Sequence, residues 1–363
     1  MIRSDAKSAA RDSAERLMGV FRTAGAVPVE TELLQPAGTL LDLYGEDIRA
    51  RAYVTNDPLR GELMLRPDFT VPVVQMHMDG GAEPARYTYA GEVFRRQETD
   101  PDRPNEYLQV GLELFGGDDP AAADAEVFAL IAEALAPRRL RAAIGDIGIL
   151  MAAVRGLSTT EARKAALLRH VWRPRRFRAM LDRFGGRQPV PQARAALLAE
   201  ADPLRDLGMT GKRTRAEIEA RIEALREDAA APHISGAELE MIDTVLALRE
   251  TAPNVLAALR DIAIDLPTLE PAVRQMAKRL DRLSDRGIDV EELQFEASYG
   301  RTSMEYYDGF VFGFTIADRP DLPPVATGGR YDALTKVLGR GRGIPAVGGV
   351  IRPGILLSAG EAA

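Results

Sequence analysis

G-E-V-F-R-R-Q at 91–97 and R-P-N-E-Y-L-Q-V-G-L-E at 103–113 decide how this chain is read. Each contains a β-type run, and a short loop rich in Pro, Asp and Arg joins them. Arg95 ends the first run, and Arg103 sits in the loop. On the returning run Tyr107, Gln109, Gly111 and Glu113 alternate onto one face of a strand. A carboxylate and an amide turned into a sheet surface are costly unless they meet partners. Two accounts are open at this point. Either Glu113 pairs with Arg95 or Arg103 in an internal ion pair, or this face is built to receive a polar ligand.

Outward from these strands the periodicity alternates. Residues 5–24 place Ala10, Ala14, Leu17, Met18 and Phe21 at helical spacing, and Gly25 and Pro28 stop that helix. Short β-type runs follow at 51–55, 62–65, 86–94 and 106–115, interrupted by a helical stretch at 71–78. Strands this close in sequence cannot all be joined by crossover helices, so a mainly antiparallel sheet is expected. Residues 121–137 read as an Ala-rich amphipathic helix and 140–147 as a strand. A polar, helix-type region occupies about 155 to 285, and β-type sequence returns at 293–298 and 307–316. Gly328 and Gly329 read as a turn opening a helix to Leu338, and 344–350 as a buried strand. The expected fold class is α+β, an antiparallel sheet flanked by helices. Its core spans 1–150 and 286–363, and a helical insertion at 151–285 divides it.

Composition narrows the chemistry. The 363 residues are 46% hydrophobic and 28% charged, with formal net charge −7, and nothing global favours a nucleic-acid or membrane partner. Cysteine is absent, which removes thiol nucleophiles, disulfides and Cys-ligated zinc, and three histidines make a His-rich metal site a poor reading. No apolar run approaches the roughly 18 residues that would span a bilayer. The first twenty residues lack a signal-peptide apolar stretch, so a cytoplasmic protein without cofactor is expected. Between Glu161 and Arg187 nine Lys or Arg stand against two acids, around Trp172 and Phe177. This run reads as a solvated helix face, and RNA stacking on its aromatics is the alternative.

Two further segments carry polar residues that strand packing does not explain: L-R-P-D-F-T at 65–70 and M-E-Y-Y-D-G-F-V-F at 304–312. Together with F-R-R-Q, the loop arginine and Q-V-G-L-E, they resemble the signature segments of class II aminoacyl-tRNA synthetases, in the histidyl variant. G-G-R-Y-D at 328–332 and I-P-A-V-G-G at 344–349 resemble the approach to that family's third motif, and Pro28 sits where its first motif places a dimer-interface proline. The order and approximate spacing of these segments agree over about 10–120 and 290–358.

The resemblance implies a pocket for histidine. Asp68, Thr70 and Gln109 would surround the α-ammonium, while Glu113 with Tyr306 or Tyr307 would read the imidazole. Arg95 and Arg103 would bind an anion or hold Glu113. The nucleotide machinery departs from the pattern. Ile355 stands where the family's third motif has an arginine, Thr302 stands where it has an arginine for the reacting carboxylate, and Arg301 is one position off. Such an offset on an extended chain reverses the side-chain direction. The family's C-terminal anticodon-binding domain is not expected. A kept amino-acid pocket with degraded ATP contacts looks like the regulatory subunit family of ATP phosphoribosyltransferase. That implies a non-catalytic chain, a short-form transferase catalytic subunit as partner, and self-association as a dimer. A truncated histidyl-tRNA synthetase or aminoacylating paralogue and a free-standing histidine sensor remain the other readings.

Overall fold

The structure is a computed structural model and describes residues 4–44, 48–97, 103–136, 138, 140–205, 211–301 and 306–358. Thr302 and Pro101 lie outside the described residues. The strands, in chain order, are β1 (Val27–Pro28), β2 (Leu34–Pro36), β3 (Val54–Asp57), β4 (Gly61–Leu65), β5 (Ala85–Phe94) and β6 (Glu106–Phe115). They continue with β7 (Leu140–Asp146), β8 (Arg249–Thr251), β9 (Gln294–Glu296), β10 (Phe310–Ile316), β11 (Ala326–Arg330) and β12 (Ala346–Ile351). Nine of them form one sheet in the order β1-β5-β6-β12-β11-β10-β7-β9-β8, and β2-β4-β3 form a small second sheet. Among the described residues only the β1–β5 and β7–β9 pairs are parallel. The expected antiparallel α+β fold is what the chain adopts.

Alternation gives the large sheet two different faces. Phe310, Phe312 and Phe314 of β10 point to one side, where Phe128 of helix Pro120–Leu135 meets them with ring centroids 6.4, 5.4 and 5.1 Å away. Helix Ser4–Thr23 packs on β5 and β6. The other side carries Glu113, Gly111 and Gln109. Helix Thr70–Met78 covers part of it, with Thr70 bonded to Glu113 and His77 stacked on Phe115 at 4.3 Å.

Three local readings need correction. Gly328 and Gly329 lie inside β11 rather than in a turn. A Cβ at Gly328 would sit 2.3 Å from Phe312, and one at Gly329 would sit 2.8 Å from Tyr307. These glycines are there for close approach across a sheet. The helix-type region also holds β8, which pairs with β9 at the sheet edge; three residues are too few to show a period. β1, β2 and helix Ala37–Tyr44 were likewise too short or too mixed to read. Among the described residues no helix is long and apolar enough to cross a membrane.

The helices between residues 161 and 285 have strong local punctuation. Thr214 with Glu217 and Ser235 with Glu238 form capping boxes at Arg215–Ala230 and Gly236–Ala247. Helix Glu270–Asp285 packs on Pro120–Leu135 and sends Arg279 into the core.

Candidate functional site

Glu113 lies near the C-terminal end of β6 and is 1% exposed. Its Oε1 accepts from Thr70 Oγ1 at 2.9 Å and from the Tyr89 hydroxyl at 2.8 Å, and its Oε2 accepts from the Tyr331 hydroxyl at 2.5 Å. The ion-pair account is therefore overturned, because hydroxyls take the places a guanidinium would have filled. Burial pushes the Glu113 carboxyl up to about 7, and the three hydroxyls pull the other way.

Glycines make room for this arrangement. Gly348 is opposite Glu113 on β12, and a Cβ there would lie 1.5 Å from Glu113 Oε2. A Cβ at Gly111 would lie 2.1 Å from the Tyr89 ring. The side chains thus lie across a bare strip of sheet instead of standing above it.

The other expected residues divide into two groups. Asp68, 3% exposed, accepts from the Val71 N–H at 3.3 Å at the start of helix Thr70–Met78. Gln109, 1% exposed, shares the face of Glu113, and its Oε1 has no partner among the described residues. Tyr306 and Tyr307 are buried with their rings 4.9 Å apart, and Tyr306 meets Tyr331 at 5.9 Å. Burial, with Glu113 nearby, raises the Tyr307 hydroxyl well above its ordinary value. These residues belong to one polar face. The arginines do not join Glu113. Arg95 donates to the Pro67 carbonyl at 2.8 Å and lies 4.0 Å from Asp68 Oδ2, and Arg103 is exposed.

Residues around Tyr307 are tied down from several directions. Trp172 Nε1 donates to the Tyr307 carbonyl at 2.8 Å. Asp308 accepts from the backbone N–H of Asp332 at 3.1 Å and of Ala333 at 2.6 Å. Arg301 meets residues of the 161–187 run, and its buried Nη2 has no partner among the described residues. It donates to the Val171 carbonyl at 2.8 Å, with its guanidinium 5.1 Å from the Phe177 ring. Phe177 and Phe184 are 1% and 2% exposed and Trp172 is half-buried on the Tyr307 carbonyl, so the aromatics of the basic run serve the fold and are not set out for base stacking. Ile355, on helix Pro353–Ser358, packs against the apolar core.

Tyr89 and Tyr331 were missed as site residues. Tyr331 stands in the quoted G-G-R-Y-D, and Tyr89 shares the alternation of β5, but only the strand register aims both at Glu113.

Comparison with known proteins is consistent with this geometry. The family model described as histidyl-tRNA synthetase matches residues 3–207 and 204–353. ATP phosphoribosyltransferase regulatory subunits from Brucella canis and Brucella ovis are each 33% identical to the chain, covering 88% of it and 89% of their own length. The chain belongs to the ATP phosphoribosyltransferase regulatory subunit family. A solved regulatory subunit/histidyl-tRNA synthetase from Bacillus halodurans shares the fold, with a TM-score of 0.68 at 22% identity over 97% of this chain and 79% of that one. A histidine–tRNA ligase subunit from Alicyclobacillus acidocaldarius does so with a TM-score of 0.62 at 23% identity, over 100% and 95%. Within this family, the chain has a buried polar face around Glu113, and its Ile355 packs against the apolar core.

Proposed function

We propose that the chain is the regulatory subunit for a short-form ATP phosphoribosyltransferase catalytic subunit at the first step of histidine biosynthesis. It carries no chemistry of its own, works in the cytoplasm and binds histidine on the polar face of β6. The observation that carries the pocket is Gln109. A buried amide oxygen without a donor is costly, and a ligand ammonium is the donor it lacks. Asp68 and the Thr70 oxygen complete the ammonium's acceptors, and Glu113 with Tyr306 and Tyr307 reads the imidazole. Ile355 offers no hydrogen bond to a nucleotide. The lost charge-assisted contact is worth roughly 1.5–3 kcal/mol, which supports a non-catalytic role.

The test is to combine wild-type transferase with Asp68→Asn or Glu113→Gln subunits and titrate histidine. Activation should survive while inhibition by histidine shifts to about ten- to a hundredfold higher concentration, the loss of one charge-assisted contact. Coupling is reciprocal, so the transferase should change histidine affinity by the factor that histidine changes transferase binding. Inhibition unchanged in both variants would place feedback on the transferase itself.

The subunit should also self-associate about a two-fold axis through its N-terminal edge. Val27 of β1, an outer strand of the large sheet, is 57% exposed, and Leu33, Leu34 of β2 and Val54 of β3 are 47%, 38% and 44% exposed. A paired interface would cover them and the open strand edge together. Light scattering at micromolar concentration should return a dimer; a monomer would remove this surface from the proposal.

A further inference from the structure

Arg352 follows the last residue of β12, and its N–H donates to the Val325 carbonyl at 2.8 Å. Ile351 pairs with Val110, so the register carries Arg352, one residue on, to the level of Gln109. Both then belong to the face that holds Glu113. The half-buried guanidinium donates to the Pro324 carbonyl at 2.9 Å and to Thr327 Oγ1 at 3.1 Å. Both acceptors are neutral. Among the described residues no carboxylate forms an ion pair with it, and its Nε has no acceptor. Burial lowers its pKa, and its electrostatic neighbours are Tyr107, Arg95, Tyr307 and Tyr299.

A guanidinium in low-dielectric surroundings with only neutral acceptors is short of a negative charge. On the same face, level with Arg352 on the neighbouring strand, lies a buried amide oxygen short of a positive one. One amino acid supplies both, since its ammonium and carboxylate are a single carbon apart. Two other arginines fit this role less well. Arg301 donates through Nε to the Val171 carbonyl and lies against Phe177, with its buried Nη2 unpartnered among the described residues, but no strand register sets it level with Gln109; Arg103 is exposed.

We propose that Arg352 binds the carboxylate of the amino acid whose ammonium is held at Asp68 and Gln109. This rests on the histidine pocket proposed above and assigns the part of the ligand that the pocket left unread. Arg352 is then what separates an amino acid from an imidazole-bearing amine of the same shape. Its bonds to Pro324 and Thr327 hold the guanidinium in place before the ligand arrives.

The experiment compares L-histidine with L-histidinol, in which a neutral alcohol replaces the carboxylate, by calorimetry on the full chain. Wild type should bind histidine about ten- to a hundredfold more tightly than histidinol, the discrimination of one charge-assisted contact. Arg352→Met should bind the two alike, at the weak level, and Arg352→Lys should restore part of the difference. Inorganic phosphate at the same concentration should not displace histidine; displacement would mean a free-anion site and overturn the assignment. A histidine-to-histidinol ratio unchanged in Arg352→Met would leave Arg352 as a structural strap and overturn it too. Equal binding of both ligands by wild type would do so without any variant. Failure of wild type to bind histidine at all would remove the pocket and this assignment together.

Discussion

Asp124→Asn should destabilise the protein by about 3–5 kcal/mol, the cost of breaking a buried ion pair by removing one partner. Asp124 is fully buried on helix Pro120–Leu135, between two arginines. Its Oδ2 accepts from Arg279 Nε at 2.8 Å, and its Oδ1 accepts from Arg330 Nε at 2.9 Å and Nη2 at 2.7 Å. Arg279 also donates to Asp146 at 2.9 Å, and Arg330 to Asp332 at 2.9 Å. Asparagine keeps the volume of Asp124 and deletes its charge, leaving each buried guanidinium with a single carboxylate, Asp146 for Arg279 and Asp332 for Arg330. A domain is stable by about 5–15 kcal/mol in total, so this is a large share. Urea denaturation of the variant measures it, and a loss below about 1 kcal/mol would show that the network is not held as described. The pocket should loosen as well. The Arg330 stem lies against Gly309, where a Cβ would be 3.1 Å from its Cδ, so Arg330 helps to set the turn that follows Tyr307.

Gly348→Ala should have the next largest effect, about 2–4 kcal/mol from overpacking and lost hydrogen bonds, together with loss of histidine binding. The added methyl would lie 1.5 Å from Glu113 Oε2 and 2.8 Å from the Leu112 carbonyl. The carbonyl belongs to a paired strand and cannot retreat, so Glu113 has to swing away and leave the hydroxyls of Thr70, Tyr89 and Tyr331 without their shared acceptor. Gly354→Ala is the control, since nothing lies within 4 Å of its added Cβ. It should stay within about 0.5 kcal/mol of wild type. Thermal melts and calorimetry on the two variants settle the point, and equal behaviour of both would mean the strip of glycines makes no room for the site.

Much of the site was legible because alternation along a strand is a local property. Tyr107, Gln109, Gly111 and Glu113 share a face whatever their strand pairs with. The order of the signature segments likewise carried the fold, since family likeness is written along the chain. Local reading failed where a residue's role is set by a neighbour distant in sequence. It offered Glu113 an arginine from its own loop; the actual partners come from 43, 24 and 218 residues away. It took Gly328 and Gly329 for a turn, because nothing nearby shows that Phe312 and Tyr307 will lie across them. It left Trp172 with the solvated basic run, although its indole ends on the Tyr307 carbonyl 135 residues on.

By itself, then, the sequence determined the α+β class, the antiparallel pairing of the central strands, and which side chains of β6 face together. These follow from period and turn chemistry, which act over a few residues. Only the tertiary structure decided what those side chains meet. It set three hydroxyls on Glu113, left Gln109 Oε1 without a donor among the described residues, brought Arg352 level with it, and placed Arg301 on the Val171 carbonyl. Register and packing between distant segments fix such contacts, because burying a charge or an amide is affordable only where another part of the chain, or a ligand, supplies its complement.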